Sequence, residues 1–575
     1  MKRFLNSRAR LLRIVATAVC LSEWAVAEPP ALPKTPIVGL WLMGQSLCDG
    51  SESLPLITPA DSGWGNLAFR RGVRTWLSAD HGAVPAKRTE EGFAFVPLTA
   101  TENGGLGETI ANGLADHLKA ALAGSDAARA KAEPPHFLVA MAGQGGRMIE
   151  ELSAADESTD PRTPDVKKHG GGYYQTSLDD ARRARAQATA RGEDFAIAAL
   201  VWMQGEGNGG PTGGIVPSRW VVELARPAGQ EWYRDRLIAY RQRWSDDLRA
   251  ITGQAGEMPM FTYQSLGPAG EAQLMAADRD PHITMVGPHY MVPSAINSRY
   301  GAGRHGDAIH LSADGERWYG EQIAKVIRRV LVEGEAWQPL RPRKAWLESE
   351  RTSVLIDFAV PRPPLILDDR FFPRQQTESG HGFSSLCGFN IRDANGGGAT
   401  ITAVVVESPT RIRISLAAPL AAGSSISYGL PYAGKIGVIA SVRAGPVATG
   451  QPTTELLIEG DIRERLKPLI DEGAFLVANT LTGETYAQAQ ARWIGEDHGA
   501  TVLRIENRER RNGVDFAAGQ TLIALRPFSY GNLRDSDSEP AIHRFADPAY
   551  GSRAGQPYPL WNWCVLFTQF PIAEK

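Results

Sequence analysis

Residues 37–50 read IVGLWLMGQSLCDG. An unbroken apolar run ending at Gly44 reads as a strand buried on both faces, the pattern of a parallel sheet with helices on both sides. Similar runs recur at 137–141, 195–203, 258–263 and 283–286, and each ends near polar or glycine-rich residues. Between them lie amphipathic stretches expected to be helices, starting near Glu108, Ser177 and Glu231, with a last one after Ser312. In that last stretch Tyr319, Ile323, Val326, Ile327 and Val330 recur at helical spacing, a stripe that reads as core packing. Residues 36–334 therefore read as an α/β unit built on a parallel sheet.

Beyond Arg341-Pro342-Arg343 the pattern changes. Short runs rich in β-branched residues, at 352–360, 399–406 and 410–416, are separated by Gly, Pro and Asn turns, which predicts a β-sandwich. The stretch 558–570, YPLWNWCVLFTQF, reads as a further strand whose aromatics pack in the core, with a carbohydrate platform as the alternative. Residues 434–525 mix strand-like pieces with a charged helical stretch at 461–472 and read as a small inserted α+β domain. The expected division is thus 28–345 for the α/β unit, 346–433 with 526–575 for the β-sandwich-like region, and 434–525 for the insert.

The 575 residues carry 61 basic and 64 acidic side chains, a formal charge of −3, with 43% hydrophobic content. So even a balance leaves no electrostatic footprint for nucleic acid and favours a neutral or weakly charged ligand. Residues 1–27, basic at first, then apolar and ending in Ala25-Val26-Ala27, have the form of a secretory signal peptide. An uncleaved anchor is the alternative. No small residue precedes Cys20 in the way lipidation requires, and no later run is long enough to span a bilayer. The expectation is a secreted or periplasmic protein. Cys48, Cys387 and Cys564 are too few and too scattered for a disulfide scaffold or a spaced metal site. An oxidising compartment would permit Cys387 to pair with Cys564, leaving Cys48 as a small buried residue.

Ser46 follows the first strand, at the carboxyl edge where open α/β sheets carry their sites. A serine hydroxyl is a weak nucleophile until a base takes its proton, so a partner is required. The elbow G-x-S-x-G is absent here. The partner stands at Gly306-Asp307-Ala308-Ile309-His310, just before the last helix. A carboxylate three residues ahead of an imidazole can bind one ring nitrogen and leave the other facing a serine. His305 with Asp307 and His310 raises a metal alternative, but the cluster holds no fourth strong ligand, so no metal or other cofactor is expected. Two further elements offer donors for a developing oxyanion. LVWMQGEGN at 200–208 ends another strand with Gln204, Gly205 and Glu206, and GGLGETIANGLADHL from Gly104 opens a helix.

Taken in order, GQS after the first strand, a glycine opening the next helix, W-x-QGE after a central strand and D-x-x-H before the final helix resemble the SGNH hydrolases. The likeness is to the sialate O-acetylesterase-like branch that includes carbohydrate esterase family 6, and it covers residues 36–334. It implies a three-layer α/β/α, flavodoxin-like fold and removal of O-acetyl groups from a carbohydrate through an acyl-enzyme, without metal. By that resemblance Ser46 is nucleophile and oxyanion donor, and Gly107 and Gln204 are further oxyanion donors. His310 is the base and Asp307 its orienting acid, while Gln45 and Glu206 support the site or touch substrate. Two departures bear on substrate preference: Leu47 stands where asparagine often follows GQS, and Gly207-Asn208 replaces Ser-Asp. The loop-like stretch 207–230 suits a lid or cleft wall. The alternatives are a lipase- or thioesterase-like hydrolase of other acyl esters, and an inactive carbohydrate-binding surface protein.

Overall fold

The computed structural model describes residues 30–76, 89–124, 133–154, 172–209, 228–293, 310–369, 375–377, 384–429, 432–448, 453–464, 466, 475–479, 486–489, 491–506, 521–546 and 553–574. The signal-peptide stretch, Asp307, His305 and most of the 207–230 loop lie outside them.

The α/β unit is built from strands β1 (Ile37–Gly44), β2 (Leu67–Phe69), β3 (Phe95–Pro97), β4 (His136–Gly143), β5 (Phe195–Met203), β6 (Met260–Gln264) and β7 (Ile283–Pro288). They form one sheet in the order β3-β2-β4-β1-β5-β6-β7, parallel except for β3 at the edge. Its helices are α1 (Ile110–Ala123), α2 (Gly172–Ala190), α3 (Ala228–Thr252), α4 (Pro268–Arg279) and α5 (Ala313–Leu331).

The alternation of β1 shows why helices cover both faces. Val38, Leu40 and Leu42 join the core that holds α1 and α5, while Ile37, Trp41 and Met43 join the core that holds α2, α3 and α4. In β5 a register irregularity opposite Gly39 and Leu40 inserts Ala198 as an extra residue. The bulge keeps Leu200 and Trp202 on one face and Val201 and Met203 on the other. Trp41 fixes α2 to the sheet by donating from Nε1 to the Ser177 carbonyl at 3.1 Å. The four predicted helices are present, and the stripe Tyr319, Ile323, Val326 and Ile327 is buried as expected. Helix α4 and the edge strands β2 and β3 were not anticipated, because each is short or weakly periodic.

The C-terminal region is strand-rich. Ser353–Ala359 lies antiparallel between Arg341–Leu347 and Arg411–Leu416, and the latter pairs with Ile401–Ser408. Ile412, Ile414 and Leu416 face inward at every second position, as half-buried strands require. The last strand, Phe567–Ala573, runs parallel to Arg341–Leu347 and antiparallel to Ser425–Tyr428. The chain leaves this region along Tyr432–Ala448 and returns along Thr521–Ser529, paired antiparallel to it. What is described between them is almost wholly strand. Of the helical stretch expected at 461–472, residues 463, 464 and 466 are helical and 467–472 lie outside the described residues.

Cys387 and Cys564 are free and buried, so the pairing that an oxidising compartment would permit is not made; Cys48 is likewise free and buried. In 558–570, Tyr558, Trp563 and Phe567 are core residues, and Trp561 is half-buried beneath the Arg534 guanidinium, 3.5 Å from its ring centre. No described helix is long and apolar enough to cross a membrane.

Residues 533–546 and 553–566 wrap over the sheet's β6–β7 end and over α5. Gln264 and Leu566 exchange two hydrogen bonds of 2.7 Å, Trp318 donates to the Pro559 carbonyl at 3.0 Å, and Arg317 to the Arg544 carbonyl at 2.8 Å. The C-terminal region is thereby continuous with the core around α1 and α5. It also reaches the rim on which Ser46 sits.

Candidate active site

Ser46 opens a single helical turn, Ser46–Asp49, directly after β1, and is 6% exposed. The first N–H groups of a helical turn have no partner within it, so the Ser46 N–H is open to a developing negative charge. The turn is pinned from two sides. Gln45 N–H donates to the Met203 carbonyl at 3.0 Å, and Gln45 Oε1 accepts from Gly207 N at 2.8 Å and from Gly205 N and Gln204 Nε2 at 3.3 Å. The GQS and QGE motifs thus form one cross-linked unit at the ends of neighbouring strands. Gln45 acts here as a positioning residue.

Below the turn lies a buried ionic cluster that the sequence did not reveal. Arg74, 3% exposed, donates from Nη1 to the Asp49 carbonyl at 2.9 Å and to the Gly107 carbonyl at 3.0 Å, and from Nη2 to the Thr101 carbonyl. One side chain therefore ties the Ser46 turn to two points of the loop between β3 and α1. Burial lowers its pKa, against the pull of Asp49, Glu108 and Glu316. Burial raises Glu316 well above the usual carboxylate range, helped by Asp49 and Glu108. Glu108 accepts from Ile57 N, Thr58 N and Thr58 Oγ1, each at 3.0 Å.

Asp49 faces the other way, toward the rim. Its Oδ2 accepts from Gly145 N at 2.8 Å and its Oδ1 from Ser51 Oγ at 2.6 Å. Burial raises its pKa to about 6, while the Ser51 and Gly145 hydrogen bonds and the charges of Arg74 and His310 pull it down. The sign of the His310 effect matters, because it means that the imidazole lies in the field of a carboxylate three residues from Ser46. Glu206 feels His310 in the same way. A direct tie accompanies the field: Ser53 Oγ donates to the carbonyl of Leu311, next to His310, at 2.9 Å. The half-buried His310 segment is therefore held on the Ser46 loop across 258 residues of sequence.

Two of the expected oxyanion donors are corrected. The Gly107 N–H is already bound to the Gly50 carbonyl at 2.8 Å. Glycine is needed there for packing, since a Cβ would fall 2.0 Å from the Ser53 carbonyl oxygen. Gln204 is fully buried, and its amide donates to Asn208 Oδ1 at 2.8 Å, to the Arg147 carbonyl at 3.1 Å and to Gln45, while its Oε1 accepts from Tyr233 at 2.7 Å. It braces the strand end instead of facing a reacting group. Glu206 takes a hydrogen bond from the Tyr263 hydroxyl, and burial raises its pKa against that bond. Among the described residues no group of His, Cys, Asp and Glu side chains could hold a metal ion.

No family model and no curated protein matches the sequence. The fold has solved likenesses. A carbohydrate acetylesterase from Xanthomonas citri aligns over 68% of this chain and 75% of its own, with a TM-score of 0.40 and 17% identity. NanS aligns over 52% of this chain and 98% of its own (0.32, 14%), and a protein from Arabidopsis thaliana over 51% and 98% (0.27, 15%). Likenesses this distant carry no argument about chemistry, which rests on the residues themselves.

The field between Asp49 and His310 makes a prediction. Removing the carboxylate in Asp49→Asn takes away a charge that favours the protonated imidazole, so the acid limb of kcat/KM is expected to move to lower pH, by about one unit. A pH–rate profile of the two proteins checks it. An unmoved limb would show that the Asp49 charge does not act on the base.

Proposed function

We propose that this chain is an exported serine esterase that removes O-acetyl groups from a carbohydrate. Ser46 attacks the ester carbonyl, and His310 takes the hydroxyl proton and returns it to the leaving alcohol. Water then repeats the cycle on the acyl-enzyme. The Ser46 N–H serves the oxyanion, and Asp307 orients His310. In the finer reading the unit is a three-layer SGNH-type domain of the sialate O-acetylesterase-like kind, working without metal. The observation that carries the proposal is the Ser53 to Leu311 hydrogen bond, which holds the histidine segment against the serine loop. The carbohydrate and the acetyl group come from the order of the GQS, W-x-QGE and D-x-x-H motifs. Export comes from residues 1–27.

Covalent labelling with a fluorophosphonate, mapped by mass spectrometry, is expected to modify Ser46 and no other serine. A chain that stays unlabelled while binding glycans would be a binding module instead. Among model esters, acetate is expected to be cleaved faster than longer acyl chains, and the reverse order would make the protein a lipase- or thioesterase-like hydrolase.

A further inference from the structure

The first turn of α5, which begins three residues after His310, is gripped by the C-terminal region. Asp314 is 1% exposed, and its Oδ1 accepts from Ala546 N at 2.8 Å and from the Tyr558 hydroxyl at 2.5 Å. The same hydroxyl accepts from Arg317 Nε at 3.0 Å, while Arg317 Nη2 donates to the Arg544 carbonyl at 2.8 Å. Tyr558 is itself fixed. Its ring stacks on Trp318 at 5.8 Å, with 9° between the planes, and meets Phe545 edge-on at 5.0 Å. An acid in the first turn of a helix ordinarily faces water and complements the positive end of the dipole. Asp314 is committed instead to a backbone N–H and a phenol of residues 533–546 and 553–566, the strap that crosses α5.

The residues between Asp314 and His310 are tied to the serine loop. Ser312 caps the helix, accepting from Gly315 N at 3.1 Å, and its own N–H donates to the Pro293 carbonyl at 3.0 Å. Leu311 gives its carbonyl to Ser53 Oγ at 2.9 Å. Beyond Asp314, Arg317 Nη1 reaches the Ile57 carbonyl at 3.4 Å, on the chain that runs on from Ser53. Strap, first turn and serine loop are thus linked in one chain of contacts. Packing on α1 sets the axis of α5: a Cβ on Gly113 would fall 2.0 Å from the Arg317 carbonyl oxygen, and one on Gly320 2.2 Å from that of Ile110. Those close approaches begin one turn into the helix. The terminal turn, whose first N–H groups have no partner within the helix, is left to the strap.

Resting on the esterase reading above, we propose that the strap completes the active site, with Asp314 and Tyr558 as positioning residues that hold the His310 segment in reach of Ser46. A base works only within hydrogen-bond reach of the proton it takes, and a misplacement of about 1 Å costs about 100-fold in rate. The α/β unit carries both the serine and the histidine, and the strap fixes the turn that keeps them together.

The test uses the full chain, with 4-nitrophenyl acetate as substrate and a fluorophosphonate as the probe of Ser46. Asp314→Ala is expected to lower kcat by about 100-fold with KM changed by less than about twofold, and to slow labelling by a similar factor. Labelling should still reach one probe per chain. Tyr558→Phe keeps the ring against Trp318 and Phe545 and loses only the hydroxyl, so a fall of the same kind by about tenfold is expected. Asp314→Asn retains an oxygen for Ala546 N and Tyr558, and its kcat should return to within about threefold of the wild type. A merely structural role would give labelling that stops short of one per chain, with activity falling only in that proportion. That result, an unchanged kcat in Tyr558→Phe, or a loss confined to KM would overturn the proposal and leave the esterase standing. Asp314→Asn as slow as Asp314→Ala would assign the effect to charge and overturn it too. If Asp314→Ala does not fold, Tyr558→Phe decides alone. A wild type that neither labels nor cleaves the ester overturns the esterase reading and the proposal with it, which sets that failure apart from the others.

Discussion

Ser46→Ala is expected to lower kcat for acetate release by about 10,000-fold or more while leaving the fold intact. The size follows from the division of labour at the rim. Without a hydroxyl there is no acyl-enzyme, and His310 can at best direct a water at the carbonyl. What survives is the stabilisation offered by the turn's N–H and by substrate binding, which elsewhere leaves a residue of catalysis above the uncatalysed rate. The fold should hold because what fixes the turn is not the hydroxyl. Gln45 holds its backbone to Met203 and its side chain to Gly205 and Gly207, and Arg74 holds the Asp49 carbonyl from below. Release of acetate, read alongside a thermal melt, separates the two statements. Full activity in the alanine variant would remove Ser46 from the chemistry, and loss of the melt with loss of activity would show that the hydroxyl holds the turn.

The strand before Ser46 was legible because parallel strands are buried on both faces and so read as continuous apolar runs. Five of the seven strands announce themselves in this way, the serine and the QGE motif follow from where those runs end, and the histidine follows from its place just before the last helix. Residues acting from outside their own motif were not legible. Arg74 stands in a stretch with no periodicity, and only the folded chain shows it beneath Ser46. Gly107 and Gln204 misled for the opposite reason. A glycine near a helix start and an amide at a strand end suit an oxyanion donor, yet their hydrogen bonds are taken by the carbonyls and amides that fix the loops. The charged side of α5 went unread: Glu321, Lys325 and Arg329 are buried against His543, Asp537 and Asn562 of the C-terminal region, and Glu316 is buried in the cluster around Arg74.

That covered face yields the second large effect: Glu321→Ala is expected to cost about 3–5 kcal/mol and to loosen the C-terminal region from the α/β unit. Glu321 is fully buried and accepts from His117 Nδ1 at 2.8 Å, His543 Nδ1 at 2.9 Å, Ile542 N at 2.8 Å and His543 N at 2.9 Å. Alanine leaves all four donors in a sealed interface. Glu539 and Asp537 extend the network to Arg328, Arg329 and Lys325, so the damage should spread along the strap. The network also sets a pH window. Burial opposes protonation of His117, but Glu321 and Glu539 outweigh it, and Asp116 and Glu321 do the same for His543, so both rise above 6.5. Their contribution is complete below 6.5 and is lost as pH rises through the raised values. Burial likewise opposes ionisation of Glu321 and Glu539, yet their partners lower both, Glu539 to about 2, so their contribution is present above 4.5 and fades toward acid. Docking of the strap should therefore be tightest between about 4.5 and 6.5 and weaken on either side. Limited proteolysis across pH, with cleavage scored between residues 533 and 566, measures this directly. Glu321→Ala should be cut readily at pH 5.5 where the wild type resists. Equal resistance of the two proteins, or wild-type protection that does not vary with pH, would mean that apolar contacts such as Trp318 on Tyr558 hold the strap, and the ionic network does not.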